Sequence, residues 1–292
     1  MIHVTNNLAN NGTTIHWHGI RQNFTNANDG VSAITQCPIA PGDSMTYTWN
    51  ATQYGSSWYH SHWAMQAWDG IFGGIVIHGP ATANYDHDLG SLFLNDWDER
   101  TADQLYELTD VGGPPTQQTG LINGTNTWTG SDNVTVGSRF STTWESGSSY
   151  LLRVVNAAID THFSFTIDNH TLQVIASDFV PIVPYTTDVV SIGMGQRYDI
   201  IVTADQASVA SDFWMRAVPD TYCSENSNPD DIKGIVHYGG EFKSFKLALS
   251  SIASPKLTLL ARQTVPAHQR LPLGPSPKMT ATASRLLPSS PT

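Results

Sequence analysis

The sequence predicts an all-β protein with two β-sandwich or Greek-key barrel domains and a C-terminal tail. Three observations support this fold class. Twelve short runs rich in β-branched and aromatic residues recur along residues 1–242, clusters of Gly, Pro, Asn and Asp separate them, and one segment alone has a weak helical pattern. A length of 292 residues suits about two domains, because one domain commonly has roughly 100–200 residues.

The expected strands follow one another at the close spacing that is typical of sandwiches and barrels. In chain order they occupy residues 14–18, 44–49, 57–62, 74–78, 91–94, 150–155, 163–167, 172–176, 187–192, 198–203, 213–217 and 234–238. The expected helix of one or two turns lies at 102–108. Because a loop-like stretch separates two strand-rich blocks, we expect one domain over 1–85 and a second over 86–242.

The charge distribution separates residues 243–292 from the rest of the chain, whose overall net charge is −11. Residues 1–242 carry seven Lys and Arg and all 25 acidic residues, whereas the tail carries seven basic residues, seven prolines and no acid. The tail lacks the density of aromatic and β-branched side chains that is needed to offset chain entropy. We therefore expect a disordered or out-of-frame segment, with a basic interaction arm as the alternative.

Composition limits the classes of partner that the chain could bind and the cellular compartment in which it could reside. Excess negative charge makes nucleic acid and anionic membranes poor partners, and no apolar run approaches the ~18 residues of a membrane span. The sequence starts without a signal peptide, yet its N-x-S/T sequons favour a secreted glycoprotein. The six sequon asparagines are Asn11, Asn23, Asn50, Asn123, Asn133 and Asn169. The sequence does not indicate an oligomeric state.

Four histidines form two H-x-H pairs in strand-like sequence, His16 with His18 and His60 with His62. Side chains at i and i+2 of a strand share one face, with Cα atoms about 6.6 Å apart. Two such strands side by side would converge four imidazoles. Packing four neutral imidazoles together without a metal would leave many ring nitrogens in need of partners, so we predict a metal site.

Copper is the metal that such a nitrogen-only site favours. A non-catalytic, secreted copper-binding protein is one alternative to a redox enzyme. A zinc-dependent hydrolase is a second alternative, because such hydrolases also use H-x-H. Their pattern continues with Asp-His soon after the pair, whereas here Gly19-Ile20-Arg21 and Trp63-Ala64-Met65 follow, which weakens this interpretation.

Longer motifs, in family order over roughly residues 2–240, resemble the first two domains of fungal laccases of the ascomycete type, which are multicopper oxidases. The motifs of the first domain are Thr14-Ile15-His16-Trp17-His18-Gly19, Asp29-Gly30, Gln36-Cys37-Pro38-Ile39, Trp58-Tyr59-His60-Ser61-His62 and Asp69-Gly70-Ile71-Phe72-Gly73-Gly74. Those of the second domain are Leu121-Ile122-Asn123-Gly124, Asp160-Thr161-His162-Phe163, Ile167-Asp168-Asn169-His170 and Gly195-Gln196-Arg197-Tyr198-Asp199.

The resemblance implies cupredoxin-like domains, an extracellular location and copper as the cofactor. Laccases oxidise phenols one electron at a time at a type 1 copper and reduce dioxygen to water at one type 2 and two type 3 coppers. By this resemblance, His16 is a type 2 ligand, and the type 3 ligands are His18, His60 and His62. Asp29 matches the acid that assists proton delivery, and Asp160 matches the carboxylate that accepts a hydrogen bond from the phenol. Their structural alternatives are a turn aspartate and a solvated loop acid.

The chain departs from the laccase pattern in lacking the third domain. In the family that domain supplies an H-x-x-H-x-H segment and an H-C-H segment, whose cysteine binds the type 1 copper. A blue-copper site needs one cysteine and two histidines, but no histidine lies within ten residues of Cys37 or Cys223. These cysteines could pair with each other or stay free. We expect an incomplete copper cluster, no type 1 site and little or no turnover by this chain alone.

Overall fold

The computed structural model describes residues 1–239 and 258–261 of the chain. These residues form nineteen strands, one α-helix and one short 3-10 helix at Asn26–Asn28, which confirms the predicted all-β class. The strands are β1 (Ile2–Thr5), β2 (Ile15–Trp17), β3 (Ser44–Tyr47), β4 (Gly55–Ser61), β5 (Phe72–Ile77), β6 (His87–Trp97), β7 (Thr119–Ile122), β8 (Thr127–Thr129), β9 (Thr135–Gly137), β10 (Ser141–Trp144), β11 (Ser149–Asn156), β12 (Phe163–Ile167), β13 (Leu172–Ser177), β14 (Val180–Thr187), β15 (Val190–Ile192), β16 (Arg197–Thr203), β17 (Asp212–Pro219), β18 (Lys233–Tyr238) and β19 (Thr258–Ala261).

Each of the twelve expected runs overlaps a strand, whereas seven strands were not expected. The missed strands are β1, β7, β8, β9, β10, β14 and β19. Strand β14 contains Pro181 and Pro184, which argue against a strand from sequence alone. It forms the edge of its sheet, where a proline removes no hydrogen bond to an outer neighbour.

The expected helix is confirmed and is longer than predicted, α1 (Ala102–Gly112). It begins with a capping box, because the Thr101 side chain accepts from the backbone N–H of Gln104 while the Gln104 side chain accepts from that of Thr101. It ends at Gly113, whose φ of 78° suits glycine. This helix lies between β6 and β7.

Strands β1 to β5, joined by β19 from the C-terminal tail, form two three-stranded sheets, β19-β1-β3 and β2-β4-β5. Residues 1–85 are called the first half below. Buried apolar residues of both sheets share one core, among them Val4, Ile15, Trp17 and Tyr47. Strand β19, which pairs antiparallel with β1, belongs to the tail at 243–292. The other residues of that tail lie outside the described residues.

Strands β6 to β18 form the rest of the fold, and residues 86–239 are called the second half below. They contain a five-stranded sheet, β10-β18-β17-β12-β15, and a six-stranded sheet, β14-β13-β16-β11-β6-β7. Side chains from both sheets fill the core between them, for example Trp144 and Phe163 from the first and Leu92 and Leu152 from the second. Most neighbouring strands are antiparallel, but β6 and β11 run parallel, as do β10 and β18. Strands β8 and β9 form a separate hairpin.

A small apolar cluster joins the two halves, with Trp58 and Phe72 from the first half against Phe93, Val155 and Ala157 from the second. The neighbouring strands β5 and β6 are so close that a methyl group on Gly74 would lie 2.3 Å from Ser91 Oγ. Strand β4, which carries part of the histidine motif, is thereby held against the second half.

A buried polar network lies beside that cluster and also crosses between the halves. Arg153 Nη2 lies 2.7 Å from Asp88 Oδ2, and Arg153 Nη1 lies 3.2 Å from Asp199 Oδ2. Ser56 on β4 accepts a hydrogen bond from Arg153 at 2.9 Å and donates one to Asp199. Burial raises the pKa of Asp199, and the Arg153 charge opposes that shift.

Two further expectations concern the outside of the molecule. Within the described part of the chain, no helix has the length and hydropathy that a membrane span requires. Cys37 and Cys223 are both exposed and are free thiols, so they do not pair with each other.

Candidate metal centre

The two histidine pairs are carried by neighbouring antiparallel strands. Strands β2 and β4 pair in a register that places His16 directly opposite His60. His18 follows the end of β2 and His62 follows the end of β4. Residues directly opposite in an antiparallel pair have Cβ atoms about 5 Å apart, so this register brings the two pairs together.

Three of the predicted ligands converge closely. His16, His18 and His60 each offer a ring nitrogen such that the three atoms lie within 4.8 Å of one another. The closest approach is 3.2 Å, between Nδ1 of His18 and Nε2 of His60. The ring of His62 has its centroid 5.6 Å from that of His16 and is more exposed. Its role as a ligand stays a prediction.

Backbone carbonyls orient two of these rings from behind. Nδ1 of His16 donates to the carbonyl oxygen of Asp29 at 2.8 Å, and Nδ1 of His60 donates to that of Ser61 at 3.0 Å. Each contact places the proton on Nδ1 and leaves Nε2 free to bind a metal, as is common behind metal-binding histidines.

Burial keeps two of the converging rings, those of His18 and His60, neutral. It lowers the pKa of His18 to about 3, with the Arg197 charge and the neighbouring histidines acting in the same direction. Burial likewise lowers the pKa of His60 to about 4. Neutral imidazole is the form that binds metal ions, so these two rings need not lose an imidazolium proton before binding.

The Asp29 carboxylate lies behind His16, with Oδ1 3.4 Å from Nδ1 of that ring. This carboxylate therefore lies beside Nδ1 of His16, the ring nitrogen opposite the one that we expect to bind the metal, and this position suits an orienting role. Gly30 lets this turn approach β2, because a methyl group there would lie 1.8 Å from the carbonyl oxygen of Ile15. Its φ of 79° also favours glycine. Participation of Asp29 in proton delivery stays a prediction.

Asp160 lies in the loop after β11 rather than at the histidines. Its backbone N–H donates to Asp96 at 2.9 Å and its carbonyl oxygen accepts from Ser224 at 2.6 Å. Burial raises the pKa of Asp160, and the nearby Asp96 charge adds to this shift. The predicted contact with a phenol involves a molecule outside the structure and stays a prediction.

Trp58 was not predicted as part of the site, although it lies next to a histidine motif. Its ring centroid lies 4.2 Å from that of His60 and 5.1 Å from that of His18, with tilts of about 30°. This ring forms an apolar wall behind both imidazoles. The alternation of β4 would put Trp58 and His60 on the same face, which is the signal that could have identified it.

The donor set fits copper. Three imidazole nitrogens converge, two of the rings are oriented by carbonyl acceptors, and an aromatic ring forms a wall on one side. The fold and the site together define a class: an all-β protein with a histidine-lined candidate metal centre on paired strands of its first half.

Comparison with known proteins identifies the family. Two sequence models described as multicopper oxidase match the chain, one at residues 1–82 and the other at residues 89–241. The chain belongs to the multicopper oxidase family. The family resemblance seen in the sequence motifs is thereby confirmed, together with the oxidoreductase class.

Individual relatives are fungal laccases. The chain is 53% identical to Laccase-1 of Botryotinia fuckeliana over 258 residues and 46% identical to the laccase of Cryphonectria parasitica over 244 residues. It superimposes on the crystal structure of the laccase from Botrytis aclada with a TM-score of 0.77 and 49% identity, covering 88% of this chain and 47% of that one. The chain spans only 43% of the length of Laccase-1 and 40% of the length of the Cryphonectria parasitica laccase.

Proposed function

We propose that this chain carries two cupredoxin-like domains, 1–85 and 86–242, of a laccase-type oxidase that oxidises phenols and reduces dioxygen to water. The observation that supports this most is the convergence of His16, His18 and His60 within 4.8 Å in a chain about 50% identical to fungal laccases. His62 completes the proposed ligand set. The matching family positions are type 2 for His16 and type 3 for the others.

Bound copper would supply one-electron redox chemistry and a binding site for dioxygen. The chain's own residues perform the supporting tasks. His16 and His60 present Nε2 because carbonyl oxygens hold their Nδ1 protons. Trp58 excludes water from one side of the rings. Asp29, beside His16, is the carboxylate that we propose to hold and pass protons consumed in oxygen reduction.

We propose that the chain alone has little or no oxidase turnover. Four imidazoles cannot complete three copper sites, and a type 1 site needs a thiolate with two imidazoles. Cys37 and Cys223 have no histidine within ten residues and lie on the surface. Electrons from a phenol would therefore lack the usual entry point.

Copper loading of the purified chain tests this proposal. We expect one or two bound coppers per chain, no absorption band of a copper thiolate near 600 nm, and no phenol-dependent oxygen uptake. Metal analysis, absorption spectra and an oxygen electrode measure the three quantities. A strong blue band with oxygen uptake would contradict the proposed incompleteness, and failure to bind copper would contradict the copper site.

We also propose that the protein is secreted and glycosylated. The six sequon asparagines differ in their exposure. Asn123 is only 1% exposed, whereas the other five sequon asparagines are exposed. When the chain is secreted from a yeast host, we expect glycans at some or all of the five and none at Asn123. Mass spectrometry of glycopeptides checks this, and a glycan on Asn123 would be incompatible with the fold.

The similarities favour neither of the two alternatives from sequence. A zinc-dependent hydrolase predicts stoichiometric zinc after purification and hydrolysis that is lost in a His16→Ala variant. A non-catalytic copper-binding protein predicts the same copper loading as above. Fusing this chain to the C-terminal part of one of the longer relatives separates this alternative from the oxidase proposal. The fusion protein oxidises phenols only if the oxidase proposal is right.

A further inference from the structure

A tight turn of the second half lies against the ring of His18. This turn, residues 193–197, connects β15 to β16. A methyl group on Gly195 would lie 2.9 Å from Cε1 and 3.1 Å from Nε2 of His18, which is too close for an ordinary contact. The Gly195 backbone therefore covers the Cε1–Nε2 edge of the ring, whereas Nδ1 faces His60.

The turn itself is held rigidly. Gly195 has a φ of 78°, and its N–H donates to the carbonyl oxygen of Asn156 at 2.8 Å. The N–H of Asn156 in turn donates to the carbonyl oxygen of Gln196 at 3.1 Å, and the side chain of Gln196 accepts from Gly193 at 2.8 Å. The position of Gly195 is thus set by strand β11 of the second half and by its own turn.

Arg197 ties this turn to the segment that carries His18. Its Nη1 lies 2.7 Å from Asp178 Oδ1 and donates to the carbonyl oxygen of Gly195 at 3.1 Å. A methyl group on Gly19 would lie 2.5 Å from Nη2, so the guanidinium packs directly on the residue after His18. The Arg197 side chain is only 5% exposed. One buried guanidinium therefore contacts both Gly19, which follows His18 in the chain, and Gly195, which lies against the His18 ring.

We infer that this turn is a positioning element that fixes the orientation of the His18 ring, with Nδ1 toward His60 and the proposed metal centre. The inference rests on the proposed copper site. Gly195 lies against the Cε1–Nε2 edge of the ring and Trp58 stacks on its face, so both limit the rotation of His18. Gly195 and Arg197 are positioning residues, since they act on the metal through His18. The second half thereby sets the ligand geometry of a site built on strands of the first half.

A matched pair of glycine variants tests this inference in the full chain. Gly195 and Gly147 both have positive φ, 78° and 88°, so an alanine strains the backbone similarly at either position. A methyl group on Gly147 would meet nothing within 4 Å, whereas one on Gly195 would meet His18. The difference between Gly195→Ala and Gly147→Ala therefore isolates the contact with the ring.

Two measurements use protein labelled with [15N]histidine, with the His18 resonances assigned from a His18→Gln variant. In the metal-free chain, we expect Gly195→Ala to shift the His18 Hε1 resonance, because the ring moves over Trp58, and Gly147→Ala to leave it unchanged. In an anaerobic Cu(I) titration, we expect metal on Nδ1 of His18 in the wild type and in Gly147→Ala. For Gly195→Ala we expect an affinity at least about tenfold lower, the usual size of effects that act behind a ligand.

Identical His18 resonances and equal Cu(I) affinity in both variants would overturn the inference, as would metal on Nε2 of His18 in the wild type. If Gly195→Ala does not fold, Arg197→Lys replaces it, because lysine keeps the charge but cannot contact Gly19, Asp178 and Gly195 together. An unchanged His18 resonance in that variant would also overturn the inference. A wild-type chain that binds no Cu(I) contradicts the proposed function, while the metal-free resonances still decide this inference.

Discussion

His60→Ala is expected to lower the copper affinity of the chain by about 100-fold or more. Loss of a group behind a ligand already costs roughly 10–100-fold, and this variant removes a ligand itself. His60 is the ring that lies closest to another ligand, with Nε2 3.2 Å from Nδ1 of His18, so its loss opens the centre of the cluster. Competition of Cu(I) with a chelator of known affinity measures the change.

His3→Ala is the matched control, because His3 is an exposed histidine on β1 whose Nδ1 forms a hydrogen bond with the Thr46 hydroxyl at 2.9 Å. It should retain the copper affinity of the wild type. The double variant His60→Ala/His62→Ala extends the test to the ligand with the least direct support. Copper binding unaffected by that double substitution would rule out the proposed centre.

Arg153→Met is expected to destabilise the chain by about 3–5 kcal/mol, the usual cost of removing one partner of a buried ion pair. Arg153 is 7% exposed and satisfies Asp88, Asp199 and Ser56 at the junction of the two halves. Its loss leaves the buried Asp199 carboxylate without its direct ion-pair partner and with only the weaker influence of the Arg197 charge. Urea unfolding curves measure the free energy of unfolding.

Arg216→Met is the control, because its ion pair with Asp168 is about one-third exposed and should contribute only about 0–1 kcal/mol. A second control is Arg153→Met/Asp199→Asn, which removes the uncompensated charge and should recover part of the loss. Equal destabilisation by Arg153→Met and Arg216→Met would show that burial of the network contributes nothing.

The loss caused by Arg153→Met should shrink as the pH falls. Burial raises the pKa of Asp199 in the folded state and Arg153 opposes this, so the variant carries an Asp199 pKa raised further. A folded state with a raised carboxyl pKa binds protons that the unfolded state releases, so its stability falls as pH rises through the folded pKa. The variant is therefore closest to the wild type in acid, and a pH-independent difference would refute this explanation.

Local sequence was sufficient for twelve of the nineteen strands of the described residues and for the metal motif. Alternating apolar residues between turn-forming residues located strands such as β12 and β16, because a strand buries alternate side chains whatever its neighbours are. The i, i+2 spacing placed each histidine pair on one face for the same reason. Strand β14 was missed because Pro181 and Pro184 argue against a strand, and only its position at the edge of the sheet accommodates them.

The convergence of the two pairs required the register between β2 and β4, in which His16 opposes His60. The backing of His16 by Asp29, and of His18 by the Gly195 turn, joins residues 13 or more positions apart in the chain. Composition and periodicity describe a residue and its near neighbours, so they identify which side chains can bind a metal. The ring nitrogen that each histidine presents depends on packing between distant segments, and such packing exists only once the two halves have folded against each other.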